Sequence, residues 1–217
     1  MLLNAFVHII ESPSSNDLLN GDTQGRVLDE AFRLAGIPSK YNLVTNLETF
    51  KEALSTRLDS ACSELEGFPI LHFVMHGDAE GIQLTNGEDI TWKDLNKLIT
   101  PYKKYMGGWS IICMSTCEGY YAKSMDENID NVPPLFALIG NTSKIEYSDA
   151  AVAYITFYHL LFKGIDIGHC VESMKVASGD ENFVLINGLE IKTSYMEYIE
   201  KQISSIRKRK IFFMSDY

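Results

Sequence analysis

"FPILHFVMHG", residues 68–77, is a run of aromatic, aliphatic and β-branched side chains that stops abruptly at His76-Gly77. Apolar character this continuous marks a strand buried on both faces, of the kind found at the centre of a parallel sheet. A second such run, "WSIICM" at 109–114, continues through Ser115 and Thr116 into "CEG" at 117–119. Between the two lie a hairpin signal, Asn86-Gly87 within "GIQLTNGEDITW", and a helix signal, "TWKDLNKLITPYKKY", capped by Thr91.

Working outward, the same alternation holds. "AFVHII" (5–10) and "YNLV" (41–44) read as strands ahead of the central pair, and "LFALIG" (135–140) as a strand after it. "RVLDEAFRLAG" sets Val27, Leu28, Ala31, Leu34 and Ala35 on one helical stripe and stops at Gly36. "NLETFKEALSTRLDSAC" does the same with Leu47, Phe50, Leu54, Leu58 and Ala61, capped by Asn46. "SDAAVAYITFYHLLFKG" is a mostly apolar helix stopped by Gly164, and "ESPSSNDLLNGDTQG" (11–25) reads as turn-forming. Strands alternating with helices predict one α/β domain over 1–217, a mostly parallel sheet with helices on both faces, with 181–217 as a strand or helix extension. Ligands in such sheets bind at the carboxyl ends of the strands.

Composition narrows the function. The 217 residues are 46% hydrophobic, enough for a sizeable core, and 19 basic against 29 acidic residues give a net charge of −10. A chain that acidic repels phosphate backbones, which argues against nucleic-acid binding. "GDTQG" and "GNTSK" lack the Gly-Lys-Ser/Thr of a phosphate-binding loop, so no nucleotide or other cofactor is expected. No apolar run approaches the roughly 20 residues of a membrane span. "MLLNAFVHII" does not resemble a signal peptide, and four cysteines without regular spacing suit free thiols in a reducing compartment, so cytoplasmic residence is expected.

The strand-end rule sorts the chemistry-bearing residues. Cys113 lies inside its apolar run, where burial raises a thiol's pKa and leaves it inert. Cys117 emerges at the carboxyl edge, followed by Gly119, which lets the backbone turn sharply. A thiol needs a base nearby to act as a nucleophile at neutral pH. His76 ends the other apolar strand in the equivalent place, so neighbouring strands would set His76 and Cys117 across one crevice. His72 falls inside the strand and reads as a core histidine bonded to something polar. A zinc set from His72, His76, Cys113 and Cys117 is disfavoured, because residues four apart on a strand are separated by roughly 13 Å while zinc ligands lie within about 2.3 Å of one ion.

"HFVMHG…GIQLTNGEDITWKDL…GWSIICMSTCEG" resembles the caspase–hemoglobinase superfamily of cysteine peptidases, and is most similar to its small bacterial caspase-like and CHAT (separase-related) branch. The resemblance extends downstream through "IEYSDAAVAYITFYHLLFKG" and covers Leu3 to about Asp180, with "STCEG" standing where the caspases proper carry Gln-Ala-Cys. It implies a caspase-like fold and a cysteine endopeptidase in which Cys117 attacks the scissile carbonyl and His76 protonates the leaving amine. The backbone N–H groups of Gly77 and Cys117 would hold the oxyanion.

The resemblance also implies that Asp149, before the long helix, helps bind a basic P1 side chain. An aspartate at a helix start is equally favoured by the macrodipole alone. Asp17 and Asp22 would line the same mouth, whereas Arg26 facing the pocket would favour an acidic P1. The substrate is then a protein or peptide, with a regulatory protein partner in a stress or defence response. The polar stretch "AKSMDENIDN" (122–131) is a site for self-cleavage at Lys123. The competing readings are a catalytically silent caspase-like scaffold and, with less support, a nucleotide or flavin binder. Cys62, Cys170, His8, His159 and His169 read as structural, and "RKRK" (207–210) as a solvated helix end or a docking patch.

Overall fold

A computed structural model of the chain describes residues 4–106, 111–126 and 137–187. Strand β1 (Ala5–Ser12) is followed by helices α1 (Ser15–Asn20) and α2 (Gln24–Ala35) and by β2 (Ser39–Leu43). Helices α3 (Leu47–Leu54) and α4 (Thr56–Leu65) lead to β3 (Phe68–Gly77), the hairpin β4 (Gly81–Gln83) and β5 (Asp89–Thr91), and α5 (Trp92–Ile99). Then come β6 (Ile111–Ser115), β7 (Ala137–Asn141), α6 (Tyr147–Leu161), α7 (Ile167–Ser178) and β8 (Phe183–Asn187).

The main sheet runs β2-β1-β3-β6-β7-β8, parallel throughout except for β8, which pairs antiparallel with β7. The two apolar runs, β3 and β6, are its central neighbours. On one face Phe50, Leu54 and Leu58 with Trp92 and Leu95 pack on Phe6, Leu71, Phe73 and Met114. On the other, Leu28 and Phe32, Tyr154, Phe157 and Tyr158, and Met174 cover Val7, Ile9, Val74, Cys113 and Ile139. Both faces of the sheet are therefore dry, as the unbroken apolar strands require.

Several elements differ from expectation for local reasons. The helix expected over 46–62 is two, broken at Ser55 (φ −109°, ψ −97°), whose hydroxyl donates to the Lys51 carbonyl at 2.6 Å. Such a side chain offers the backbone an alternative partner and competes with helix continuation. The helix capped by Thr91 gives way to a 3-10 segment, Thr100–Met106, as Pro101 brings no N–H to the ladder. The turn-forming stretch 11–25 contains α1, closed by a reciprocal capping box between Ser14 and Asp17. In α2 the buried positions are Leu28 and Phe32, while Val27 and Leu34, expected on the packed stripe, are exposed. α7, capped by Asp166, carries Cys170 in its buried face.

Among the described residues no helix is long and apolar enough to cross a membrane. "RKRK" (207–210), most of the 181–217 extension beyond β8, and residues 127–131 of the polar stretch expected to be cleaved fall outside the described residues.

Candidate active site

The site is assembled at the carboxyl ends of β1, β3 and β6. Glu11, near the end of β1, is almost fully buried and accepts the Gly25 N–H at 2.9 Å and the Tyr41 hydroxyl at 2.7 Å. Its carboxyl thus serves the α2 N-terminus, where Thr23 makes no side-chain cap bond. Burial outweighs those hydrogen bonds and pushes the Glu11 carboxyl above its ordinary range. A Cβ on Gly25 would lie 3.0 Å from both Glu11 Oε2 and the Ile9 side chain, so α2 can begin this close to β1 only at a glycine. The result is a fixed Gln24, whose amide donates to Ser115 Oγ at 2.9 Å and steadies the end of β6.

β3 and β6 pair with His72 beside Cys113 and Val74 beside Ser115. Further on, His76 returns to the same face of β3 as His72, and Cys117 stands in the turn just past the end of β6. Both line a cavity of about 200 Å³, together with Gln24, Ser115, Glu146 and Tyr147. His76 also borders a second cavity of about 320 Å³ beside the hairpin, which Asp78, Glu80 and Asp89 help to line.

The turn holding Cys117 is tight. Glu118 adopts a left-handed backbone (φ 55°), and its N–H donates to the Ser143 carbonyl at 3.0 Å. The sharp bend expected at Gly119 therefore falls on Glu118. Gly119 is needed for space instead: a Cβ there would sit 2.8 Å from Met114 Cβ and from Thr116 Oγ1. Gly77 is similarly confined, because a Cβ would lie 3.2 Å from Thr116 Cβ and 3.4 Å from the Cys117 carbonyl oxygen. Among the described residues the Cys117 N–H has no hydrogen-bond partner.

Around His76 the structure places residues that the sequence did not bring together. His76 Nε2 lies 3.2 Å from Asp17 Oδ2 and 3.2 Å from the Tyr147 hydroxyl, which itself donates to Asp17 Oδ2 at 3.1 Å. Burial works against the Asp17 carboxylate, yet hydrogen bonds from Ser14, His76 and Tyr147 outweigh it and hold the carboxyl below its usual range. Asp17, expected at the substrate mouth, is thus tied to the imidazole. Asp22 is exposed, its N–H donating to the Asp17 carbonyl, and Asp149 sits in the first turn of α6 beside Ser148. Neither lines the cavity shared by His76 and Cys117; the acidic residue that does is Glu146. Arg26 lines a different depression and pairs with Glu30 at 3.7 Å.

Most of the residues read as structural are packed in the interior, and two histidines are not. His72 is fully buried with Nδ1 3.0 Å from the Tyr158 hydroxyl, and burial lowers its pKa to about 3. Cys113 is fully buried and pushed up to about 12. His8 bonds the Ala53 carbonyl at 2.9 Å, and Cys170 packs in the core. Cys62 packs partly buried at the edge of the core, while His159 and His169 are exposed on α6 and α7.

This arrangement, a six-stranded main sheet between two helical layers with its working edge at the ends of β3 and β6, is the caspase-like fold. A secreted C11 cysteine protease from Bacteroides thetaiotaomicron, solved with an irreversible peptide inhibitor, is similar to it with a TM-score of 0.58 at 11% identity, over 88% of this chain and 68% of that one. The Arg-specific cysteine proteinase gingipain R matches with a TM-score of 0.52 at 9% identity over 87% of this chain, which spans 47% of the gingipain chain. No protein-family model matches the sequence, and no curated protein matches it.

Proposed function

We propose that the protein is a cysteine endopeptidase in which Cys117 is the nucleophile and His76 the proton carrier. The observation that carries this reading is their shared cavity at the adjoining ends of β3 and β6. The caspase-like fold, common to two cysteine proteases, supports it. In the reaction the Cys117 proton passes to His76 as Sγ attacks the scissile carbonyl. The imidazolium then gives that proton to the leaving amine, releasing one product and leaving a thioester. A water, deprotonated by His76, hydrolyses the thioester and restores the thiol. The Cys117 N–H, unpartnered within the described residues, and that of Gly77 would stabilise the oxyanion, each such donor contributing about 3 kcal/mol in the transition state.

A basic P1 side chain fits this site better than an acidic one. Glu146 brings a carboxylate to the cavity, Arg26 stays outside it, and the net charge of −10 attracts cationic peptides. Asp149, one turn along α6 from Glu146, is a second carboxylate available to a long basic side chain. The natural substrate would be a protein or peptide, in a stress or defence setting as the sequence resemblance implies. Fluorogenic peptides varied at P1 test the reading. Cleavage after Arg or Lys is expected, with a loss of at least about 10³-fold in Cys117→Ala and in His76→Ala. Full activity in Cys117→Ala would overturn the assignment, and no cleavage of any peptide would favour a silent scaffold.

A further inference from the structure

We propose that Asp17 and Tyr147 form a clasp that positions the His76 imidazole with its proton on Nε2 and its Nδ1 lone pair available to the thiol. This rests on the peptidase reading of His76 and Cys117 but is tested separately from it. Asp17 Oδ2 stands 3.2 Å from His76 Nε2 and also accepts from Ser14 N–H at 3.2 Å, Ser14 Oγ at 2.6 Å and the Tyr147 hydroxyl at 3.1 Å. An ionised carboxylate only accepts, so the ring nitrogen facing it must carry the hydrogen. In the neutral ring the other nitrogen is then the base. Among the described residues Nδ1 makes no hydrogen bond, which leaves it free to take a proton from Sγ.

Tyr147 makes the clasp more than a single contact. Burial first, and the Asp17 charge second, push its hydroxyl far above its ordinary range, so it remains a donor to the carboxylate. Its ring also stands 6.2 Å from the imidazole and lines the cavity at the start of α6. The cavity wall and the short helix after β1 therefore converge on one nitrogen. The need is evident from exposure: the His76 side chain is 47% accessible, and without partners it would be free to turn. Asp17 and Tyr147 are positioning residues, and the Oδ2 engaged with Ser14, His76 and Tyr147 is poorly placed to receive a substrate cation.

Long-range ¹H–¹⁵N NMR of the full chain labelled on histidine reads the tautomer directly. Above pH 8 the expected signature of His76 is Nε2–H, replaced by a tautomer mixture in Asp17→Ala and in Tyr147→Phe. Ser14→Ala weakens the α1 cap but keeps the carboxylate, so it separates positioning from mere support of the helix; it is expected to keep the Nε2–H signature. If Asp17→Ala does not fold, Tyr147→Phe, which spares the cap, still decides. In peptide hydrolysis kcat is expected to fall about 10²-fold in Asp17→Ala with KM within about twofold, the size of effect that misplacing a reacting group by about 1 Å produces. An unchanged Nε2–H signature in Tyr147→Phe and Asp17→Ala alike overturns the clasp. A wild type with no peptidase activity but the expected tautomer changes overturns the peptidase reading and leaves the clasp standing.

Discussion

Strands β3 and β6 carry one histidine–cysteine pair side by side, His72 with Cys113, and four residues on a second, His76 with Cys117, stands at the end of β3 and in the turn just after β6. The inner pair lies under Tyr154 and Tyr158 of α6, wholly out of water, with the imidazole lowered to about 3 and the thiol raised to about 12. Neither can change charge near neutrality. The outer pair is partly exposed, borders a cavity, and has polar neighbours in Asp17, Tyr147 and Gln24. Identical residue types, one pair inside the strands and one at or just past their carboxyl ends, thus receive opposite surroundings. Desolvation silences the first pair, and the second borders a cavity and is partly exposed.

The comparison can be broken through stability. His8 is lowered to about 4 and His72 to about 3, both from 6.5 and both by burial. Their folded pKa values lie below the unfolded one, so the unfolded chain binds these protons first. Stability from these groups is complete above about pH 6.5 and is lost as pH falls through 4 towards 3. At about 1.4 kcal/mol per pKa unit, acidification to pH 4 should cost about 3 kcal/mol for each residue. Urea unfolding from pH 7.5 to 4.5 should show this slope, flattened by about one proton in His72→Phe. A slope in His72→Phe equal to that of the wild type would contradict the silencing of the inner pair by burial.

Much of this contrast was legible in the sequence. Continuous apolar runs identified β3 and β6 as central, and where the apolar character stops put His76 at the end of β3 and Cys117 just beyond the end of β6. The clasp was not legible, because Asp17, His76 and Tyr147 are brought together by α1, a helix hidden in a stretch rich in Ser, Pro, Asn and Gly. One signal was available: Ser14 three residues ahead of Asp17 has capping-box spacing, though with Asp in place of Glu or Gln. Glu11 was hidden for a different reason. A carboxylate closing a buried run reads as a strand end, and its service to α2 depends on a glycine contact that only three dimensions reveal. Val27 and Leu34 misled as well, because the helical period alone does not say which face meets the sheet.

A smaller effect sharpens the outer pair. Gly119→Ala forces a Cβ to within 2.8 Å of Met114 Cβ and Thr116 Oγ1 beneath the Cys117 turn. Destabilisation of about 1–3 kcal/mol in thermal or urea unfolding is expected, with lower peptidase activity as the turn shifts. Smallest of all is Cys113→Ala, which removes one buried sulfur from the core. Stability should fall by about 1 kcal/mol while peptide hydrolysis stays near that of the wild type. A large activity loss in a folded Cys113→Ala protein would move the chemistry to the inner pair.

The most direct measurement is site-resolved alkylation by iodoacetamide, quantified by mass spectrometry on the folded protein near neutral pH. Labelling of Cys117 is expected to outpace that of Cys113 by about 10²-fold or more, and to slow about tenfold in His76→Ala while Cys113 stays unlabelled. Equal labelling of the two cysteines, or a Cys117 rate indifferent to the loss of His76, would contradict the account.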